Sequence, residues 1–123
     1  MLKYFSTLLS LIILFQANQS LSLPPCNGNF ETHCFGIIVH KNGEKYTGEI
    51  KNFKYHGKGT YLFINGNIYE GEFKDGVQNG QGTFTFINGD RYEGEFKDGE
   101  FWNITEYDKN GNIIGKWING EEQ

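Results

Sequence analysis

The fold is decided by residues 69–89, which read YEGEFKDGVQNGQGTFTFING. Residues 69–74 alternate between uncharged and charged side chains, and residues 82–86 alternate between glycine or phenylalanine and threonine. A period of two residues is typical of a strand with one buried face and one solvated face. The stretch therefore predicts two short strands, each with an aromatic face and a polar face.

The same unit recurs along the chain. Tyr46, Tyr69 and Tyr92 each begin a segment of the form Tyr-x-Gly-Glu, and they are 23 residues apart. Repetition at a fixed period is the signature of a repeat architecture, in which each unit packs on its neighbours. In the third copy, the same count places Asn103 and Thr105 where the second copy has glycines. The predicted array, residues 36–120, has a half-repeat at 36–45, repeats at 46–68, 69–91 and 92–112, and a terminal half-repeat at 113–120.

Glycine-containing turns separate the strands. Asn65-Gly66 and Asn88-Gly89 predict two-residue type I′ turns, because these turns need a positive φ at both central residues. The longer connection from Lys74 to Gln81 predicts a looser turn. No segment after residue 22 has helical periodicity. We therefore expect an all-β fold, a single-domain antiparallel β-hairpin meander that forms a curved open sheet.

One face of this sheet is predicted to be aromatic and is the candidate binding surface, since large exposed apolar patches tend to mark interaction sites. Two arrangements are open. Either twist buries the rings against one another and against glycine, or part of the face remains a trough for an extended peptide, a glycan or a second copy. We expect rings from adjacent strands to lie over Gly71 and Gly94. The candidate binding residues are Tyr46, Tyr61, Tyr69, Phe73, Phe84, Tyr92 and Phe96.

The N-terminal segment predicts export. Residues 4–15 are uncharged and mostly apolar. This run is shorter than the roughly 20 residues that span a membrane, and it suits a secretory signal. We expect a signal peptide at 1–22 and a periplasmic or extracellular protein, with an uncleaved anchor as the alternative. Residues 23–35 form a predicted cap in which Cys26 and Cys34 make a disulfide, as nearby cysteines of exported proteins usually do.

Composition and charge argue against several partner classes. The chain has 11 basic and 15 acidic residues, and one basic residue, Lys3, lies in the predicted signal segment. This balance argues against nucleic acid, whose binding depends on lysine and arginine, and it disfavours anionic lipid. The three histidines and two cysteines lack the ligand spacing of a zinc site, so we predict no metal and no cofactor.

Three glutamates at the repeat period, Glu49, Glu72 and Glu95, invite comparison with the carboxylate pair of a glycosidase. They alternate away from the aromatic face, where charged residues usually form a solvated surface. The sequence also has no nucleophile motif, phosphate loop or dinucleotide fingerprint. We therefore predict that the protein is not an enzyme.

The repeated motif resembles the MORN (membrane occupation and recognition nexus) repeat. Residues 69–89 match the family's Tyr-x-Gly-Glu-Phe, variable turn, Gly-x-Gly-Thr and closing Asn-Gly nearly throughout. Residues 46–66 match with Ile50 in the Phe position, and residues 92–97 match only the first half. The resemblance implies a β-hairpin array that acts as an adaptor, and phospholipid binding is often proposed for such repeats. With its Leu-Pro-Pro-Cys start, the chain resembles small exported envelope proteins of bacteria.

The predicted function is that of a non-catalytic, exported binding or scaffolding module, which contacts a protein or envelope partner through its repeat surface. Two alternatives remain. One is a structural protein that self-assembles through its sheet edges, because unpaired edges recruit strands. The other is a membrane-associated adaptor, which the negative charge disfavours. The expected state is a monomer or a weak homo-oligomer.

Overall fold

The computed structural model describes residues 22–123, and all regular structure within them is β-strand. The predicted signal peptide lies outside the described residues, except for Ser22. No helix among the described residues is long and apolar enough to cross a membrane. The strands are β1 (Cys34–Val39), β2 (Lys45–Lys51), β3 (Lys54–Leu62), β4 (Ile68–Lys74), β5 (Val77–Thr85), β6 (Arg91–Lys97), β7 (Glu100–Tyr107), β8 (Ile113–Ile118) and β9 (Glu121–Glu122).

The nine strands form one sheet in which every strand pairs antiparallel with its sequence neighbours, in the order β1 to β9. Since β1 and β9 are not paired with each other, the sheet is open. The prediction of an all-β antiparallel hairpin meander is confirmed. Successive hairpins lie side by side, so the repeat period of the sequence becomes a spatial period across the sheet.

Six glycines, one from each of β1–β6, are cross-strand partners in a continuous line, which we call the glycine row. Its members are Gly36, Gly48, Gly59, Gly71, Gly82 and Gly94. Two residues away along strands β2–β6, a second line of partners is entirely aromatic: Tyr46, Tyr61, Tyr69, Phe84 and Tyr92. Residues two apart in a strand share a face. The aromatic rings therefore border a strip that carries no side chains.

Tyrosine rings fill this strip. A Cβ atom built on Gly82 would lie 2.6 Å from a ring carbon of Tyr69, and one on Gly59 would lie 2.5 Å from a ring carbon of Tyr46. Both tyrosine side chains are fully buried. The Tyr69 hydroxyl donates to the backbone carbonyl of Glu72 at 2.9 Å. The rings are thus held flat over glycines of the adjacent strand.

Gly71 makes a different contact from the one we expected. A Cβ there would lie 2.5 Å from both the Gly82 Cα and the Gln81 carbonyl oxygen, so the backbone of β5 takes up the space beside it. At Gly94, the nearest atom is likewise a backbone oxygen, that of Asn103. The expectation of a ring over these two glycines was wrong. Tyr46 and Tyr69 instead cover Gly59 and Gly82, the glycines on the strands that follow their own.

Phenylalanines join the tyrosines into a continuous core. The Phe73 ring meets Tyr46 and Tyr69 edge-on, with centroids 5.2 and 5.1 Å apart, and Phe96 meets Tyr69 in the same way at 4.9 Å. Edge-to-face pairs add about 0.5–1.5 kcal/mol beyond the burial of area. The core is therefore a continuous row of packed aromatic rings along one face of a single sheet.

The predicted turn types are reversed in the structure: the tight turn is at Asp75-Gly76, and the wider loop is at Asn65-Gly66. Asp75 and Gly76 have φ of 51° and 87°, which makes this connection a tight two-residue type I′ turn. At Asn65-Gly66 only the glycine has a positive φ, and Phe63 pairs with Asn67 around a three-residue loop. The Asn65 side chain accepts the N–H of Asn67 at 3.0 Å, and this contact stabilises the wider loop.

The third hairpin, β6–β7, does not continue the glycine row of the first two. Ile104, and not Thr105 as the 23-residue count suggested, is the partner of Gly94, because the β6–β7 bulge has one residue fewer than the β4–β5 bulge. Ile104 is buried where the earlier hairpins leave room for a ring. Tyr92 is accordingly only half-buried. Its partner Glu106 is buried and accepts the indole N–H of Trp117 at 2.6 Å.

The N-terminal cap takes the place of a preceding repeat. Its predicted disulfide between Cys26 and Cys34 is present. The carbonyl of Phe30 accepts the N–H of Phe53 at 2.8 Å. One repeat later, the carbonyl of Tyr55 accepts the N–H of Gly76 in the equivalent way. The cap therefore satisfies donors of the first tight turn that would otherwise be unpaired.

Substituting Gly71 tests the close approach of β4 and β5. We expect Gly71→Ala to lower the free energy of unfolding by about 3 kcal/mol, because its Cβ would push against backbone, which cannot rotate away. Gly76→Ala is the matched control, since no heavy atom lies within 4 Å of its Cβ position and only the positive φ of 87° is unfavourable. It should lose about 1 kcal/mol. Equal losses in urea unfolding would contradict the close-approach account.

Phe53 occupies the turn position that Gly76 holds one repeat later, with φ at 62° and a side chain that is 70% exposed. Left-handed backbone costs a residue with a Cβ about 1–2 kcal/mol. We expect Phe53→Gly to raise the free energy of unfolding by about 0.5–1 kcal/mol, after allowing for the flexibility of glycine in the unfolded chain. Phe53→Ala keeps the Cβ and should give no gain in the same denaturation experiment.

Candidate functional site

A wide concave surface lies on the polar face, opposite the aromatic core. It is a trough of about 940 Å³ that crosses strands β1 to β7. The backbone of the glycine row lies in its floor, and Phe35 and Tyr107 stand at its two ends. We call it the polar-face trough. Its side walls carry Thr47, Lys58, Thr60, Glu70, Glu72, Gln81, Thr83 and Glu93.

Four polar side chains of the trough form a row across the sheet, because they are successive cross-strand partners. Thr60 is the partner of Glu70, Glu70 of Thr83, and Thr83 of Glu93. Threonine hydroxyls and glutamate carboxylates therefore alternate across the sheet at the strand spacing of about 4.8 Å. A hydroxyl donates and accepts, whereas an ionised carboxylate only accepts. This line offers regularly spaced acceptors to a ligand that lies across the strands.

The trough is acidic. Three glutamates line it, Glu70, Glu72 and Glu93, against one lysine, Lys58. At the β6 end, the guanidinium of Arg91 lies 3.2 Å from Glu93 and partly offsets its charge. Charge of one sign in a concave surface concentrates ligands of the opposite sign.

The motif glutamate of the second repeat has a structural role. Three residues of β5, 79–81, lie opposite the single residue Glu72 in a bulge. The Glu72 carboxylate folds over Gly80, whose φ of 112° brings the backbone close, and accepts the N–H of Gln81 at 2.7 Å. Glu49 lies over Gly57 of the first repeat in the same manner. Of these two carboxylates, that of Glu72 bonds to the backbone of its bulge and borders the trough, whereas that of Glu49 lies 3.3 Å from the His33 ring nitrogen.

The seven predicted binding residues divide into two groups. Buried side chains belong to Tyr46, Tyr69, Phe73 and Phe96. Half-buried side chains belong to Tyr61, Phe84 and Tyr92. Ligand binding by this aromatic face stays a prediction. Sequence reasoning did not select the trough residues, because outward threonines and glutamates have the same pattern as any solvated strand face.

Burial controls the ionisation of the aromatic core. Burial raises the pKa of the Tyr46 and Tyr69 phenols well above 10, and nearby glutamates raise it further. The Tyr61 hydroxyl donates to Glu44 at 2.6 Å. This hydrogen bond lowers the pKa of the Glu44 carboxyl below its usual value. Within residues 22–123, no group of three or more His, Cys, Asp or Glu side chains is arranged to hold a metal ion.

The fold and the trough define a class of protein, a single-sheet β-hairpin repeat array with a concave polar face. The family model of the MORN repeat matches residues 46–68, 69–91 and 92–102. The chain is a MORN repeat protein. The third match ends shortly before Ile104, where the glycine row ends. Repeats of this family are generally associated with protein or membrane binding. No curated protein matches the chain.

The buried tyrosines predict a loss of stability at alkaline pH. A phenol whose pKa is raised in the folded state stabilises the fold fully below its unfolded pKa of about 10, and this contribution is lost as the pH rises towards the folded pKa. Each such tyrosine should reduce the free energy of unfolding by up to about 1.4 kcal/mol per pH unit in that window. In Tyr69→Phe, we expect a shallower decline between pH 9 and 11, measured by urea unfolding. An unchanged slope would contradict the protonation account.

Proposed function

We propose that this MORN repeat protein is a non-catalytic, exported binding and scaffolding module, which holds an extended basic segment of a partner protein in the polar-face trough. The observation that carries the proposal is the trough itself, with Glu70, Glu72 and Glu93 facing a single lysine. The partner recognised by this chemistry is a stretch of chain that presents several lysines or arginines.

The dimensions of the trough suit such a segment. Five strands, β2 to β6, span about 19 Å at the usual strand spacing, and an extended chain covers this length with about six residues. Backbone groups of the segment can bond to the threonine hydroxyls, while lysine or arginine side chains reach Glu70 and Glu93. Ion pairs at an open surface contribute about 0.2–1 kcal/mol each, so affinity depends on several pairs together.

Export is supported by the N-terminal sequence and by the Cys26–Cys34 disulfide. Disulfides persist in oxidising compartments and are rare where thiols are kept reduced. A non-catalytic role is supported by the structural use of Glu49 and Glu72, whose carboxylates are held against glycine backbone. The acidic trough disfavours anionic lipid headgroups, which are drawn to basic clusters.

A peptide-binding measurement tests the proposal. Labelled peptides of about ten residues, one alternating lysine with serine and one alternating glutamate with serine, are titrated with the protein at low ionic strength and followed by fluorescence anisotropy. We expect only the lysine peptide to bind. The double variant Glu70→Gln, Glu93→Gln should weaken binding about tenfold, because it removes two ion pairs of up to about 1 kcal/mol each.

The matched control is the double variant Glu100→Gln, Glu121→Gln, which also removes two carboxylates, both exposed and outside the trough. We expect it to bind the lysine peptide like the parent protein. The proposal is wrong if this control weakens binding as much as the trough variant, since net charge alone would then account for the affinity. It is equally wrong if both peptides bind alike.

A further inference from the structure

The first strand of the sheet has an edge that is only half covered. The N–H of Phe35 donates to the Pro24 carbonyl at 2.8 Å, and the Phe35 carbonyl accepts the N–H of Cys26 at 3.0 Å. Backbone groups of alternate residues in a strand point to the same edge. Ile37 and Val39 therefore direct their N–H and C=O groups outward as well. Among residues 22–123, nothing pairs with these groups at that edge.

The side chains of this strand are apolar and exposed. Phe35, Ile37 and Val39 share the polar face of the sheet, and they are 48, 57 and 67% exposed. The strand itself, residues 34–39, contains no charged residue. Proteins usually protect an edge strand with charge, proline or a cover. A bare, uncharged edge with exposed aliphatic side chains is suited to pairing with another strand.

Charges at the two ends of β1 favour a particular partner. Glu49 pairs with Phe35 near the start of the strand, whereas Lys45 pairs with Val39 at its end, and Lys41 lies two residues after Val39 in the next turn. On the polar face, the residues paired with β1 thus change from a carboxylate beside Phe35 to an ammonium group beside Val39. The Glu49 carboxylate also lies 3.3 Å from His33, and the carboxylate of Glu44, next to Lys45, accepts the hydroxyl of Tyr61. If two copies pair antiparallel, the basic end of each lies beside the acidic end of the other. Parallel pairing would place like charges together.

We propose that two copies of this chain pair through β1, antiparallel, about a twofold axis at Ile38. In this register, Ile37 of each copy exchanges backbone hydrogen bonds with Val39 of the other, which gives four bonds by the antiparallel pattern. The residues Ile37 and Val39 of both copies then form one apolar cluster on the polar face. The proposal is independent of the proposed function, because β1 contributes only Phe35 to the trough.

The twofold arrangement also limits growth. An interface that uses the same strand on both copies is closed, and it stops at a dimer. The opposite end of the sheet is β9, which consists of Glu121 and Glu122 and presents no apolar side chain. The two end strands therefore differ in chemistry, and β1 is the better partner for itself.

Sedimentation velocity of the full chain over a range of concentrations tests the proposal. We expect a monomer–dimer equilibrium with no larger species. Ile37→Lys should raise the dimer dissociation constant at least tenfold, because it places like charges across the axis without touching the core. Ile113→Lys is the matched control at the other end of the sheet, where the isoleucine is 60% exposed, and it should leave the equilibrium unchanged.

Charge reversal at the end of the strand gives a second readout. Lys41→Glu should weaken the dimer, and high salt should weaken the parent dimer but have less effect on this variant. Circular dichroism and melting temperature close to those of the parent establish that each variant is folded. A parent protein that stays monomeric at every concentration, forms species larger than a dimer, or dissociates with Ile113→Lys and not with Ile37→Lys would overturn the proposal.

Discussion

Within residues 22–123 no second layer of strands or helices packs on the sheet, so it must bury its apolar side chains against its own backbone. In this protein, a tyrosine ring laid over glycine meets that requirement. Tyr69 is fully buried because Gly82, on the next strand, has no side chain to compete for the space. The ring is held flat by the bond from its hydroxyl to Glu72. Large apolar residues that ordinarily need a second layer are thereby buried within one layer.

This contact also explains the form of the repeat. Tyr46 and Tyr69 each need a glycine on the following strand, Gly59 and Gly82, to make room for the ring. The glycines of their own strands, Gly48 and Gly71, allow the two backbones to approach closely. The bulge opposite Glu72 lets β5 turn towards β4, and its carboxylate holds the extra residues in place. A unit that lost any one of these features would leave a gap or a clash. The glycine row stops after Gly94 because Ile104 and Trp117 occupy the positions where it would continue.

Much of the fold was predictable from the sequence, since alternation and period are direct consequences of strand geometry. The strands, the meander and the aromatic face all follow from residues 46–97 alone. The turn types were not predictable, because Asn-Gly and Asp-Gly both supply a glycine at positive φ. In the structure, the Asn65 side chain stabilises the wider loop through a local hydrogen bond. The register of β7 was missed by one residue, since no glycine marks the shorter bulge.

The candidate site was less predictable than the fold. The sequence pointed to the aromatic face, of which four candidate residues are buried and three half-buried, while the trough lies on the opposite face. The sequence around Thr60 and Glu70 has no pattern that distinguishes the wall of a trough from an ordinary solvated strand face. What distinguishes them is their place beside a concave surface that is lined by glycines of the glycine row. Gly59 and Gly82, which make room for the tyrosine rings on one face, thus also line the surface proposed to bind on the other.

Proton NMR measures the central contact without altering it. The ring currents of Tyr46 and Tyr69 should shift the α-protons of Gly59 and Gly82 far upfield of their positions in an unfolded chain. The α-protons of Gly43 and Gly76, which have no neighbouring side chain within 4 Å of the Cβ position, should stay near theirs. If all four glycines resonate at ordinary positions, no ring lies over the glycine row, and the account of how this sheet is stabilised is wrong.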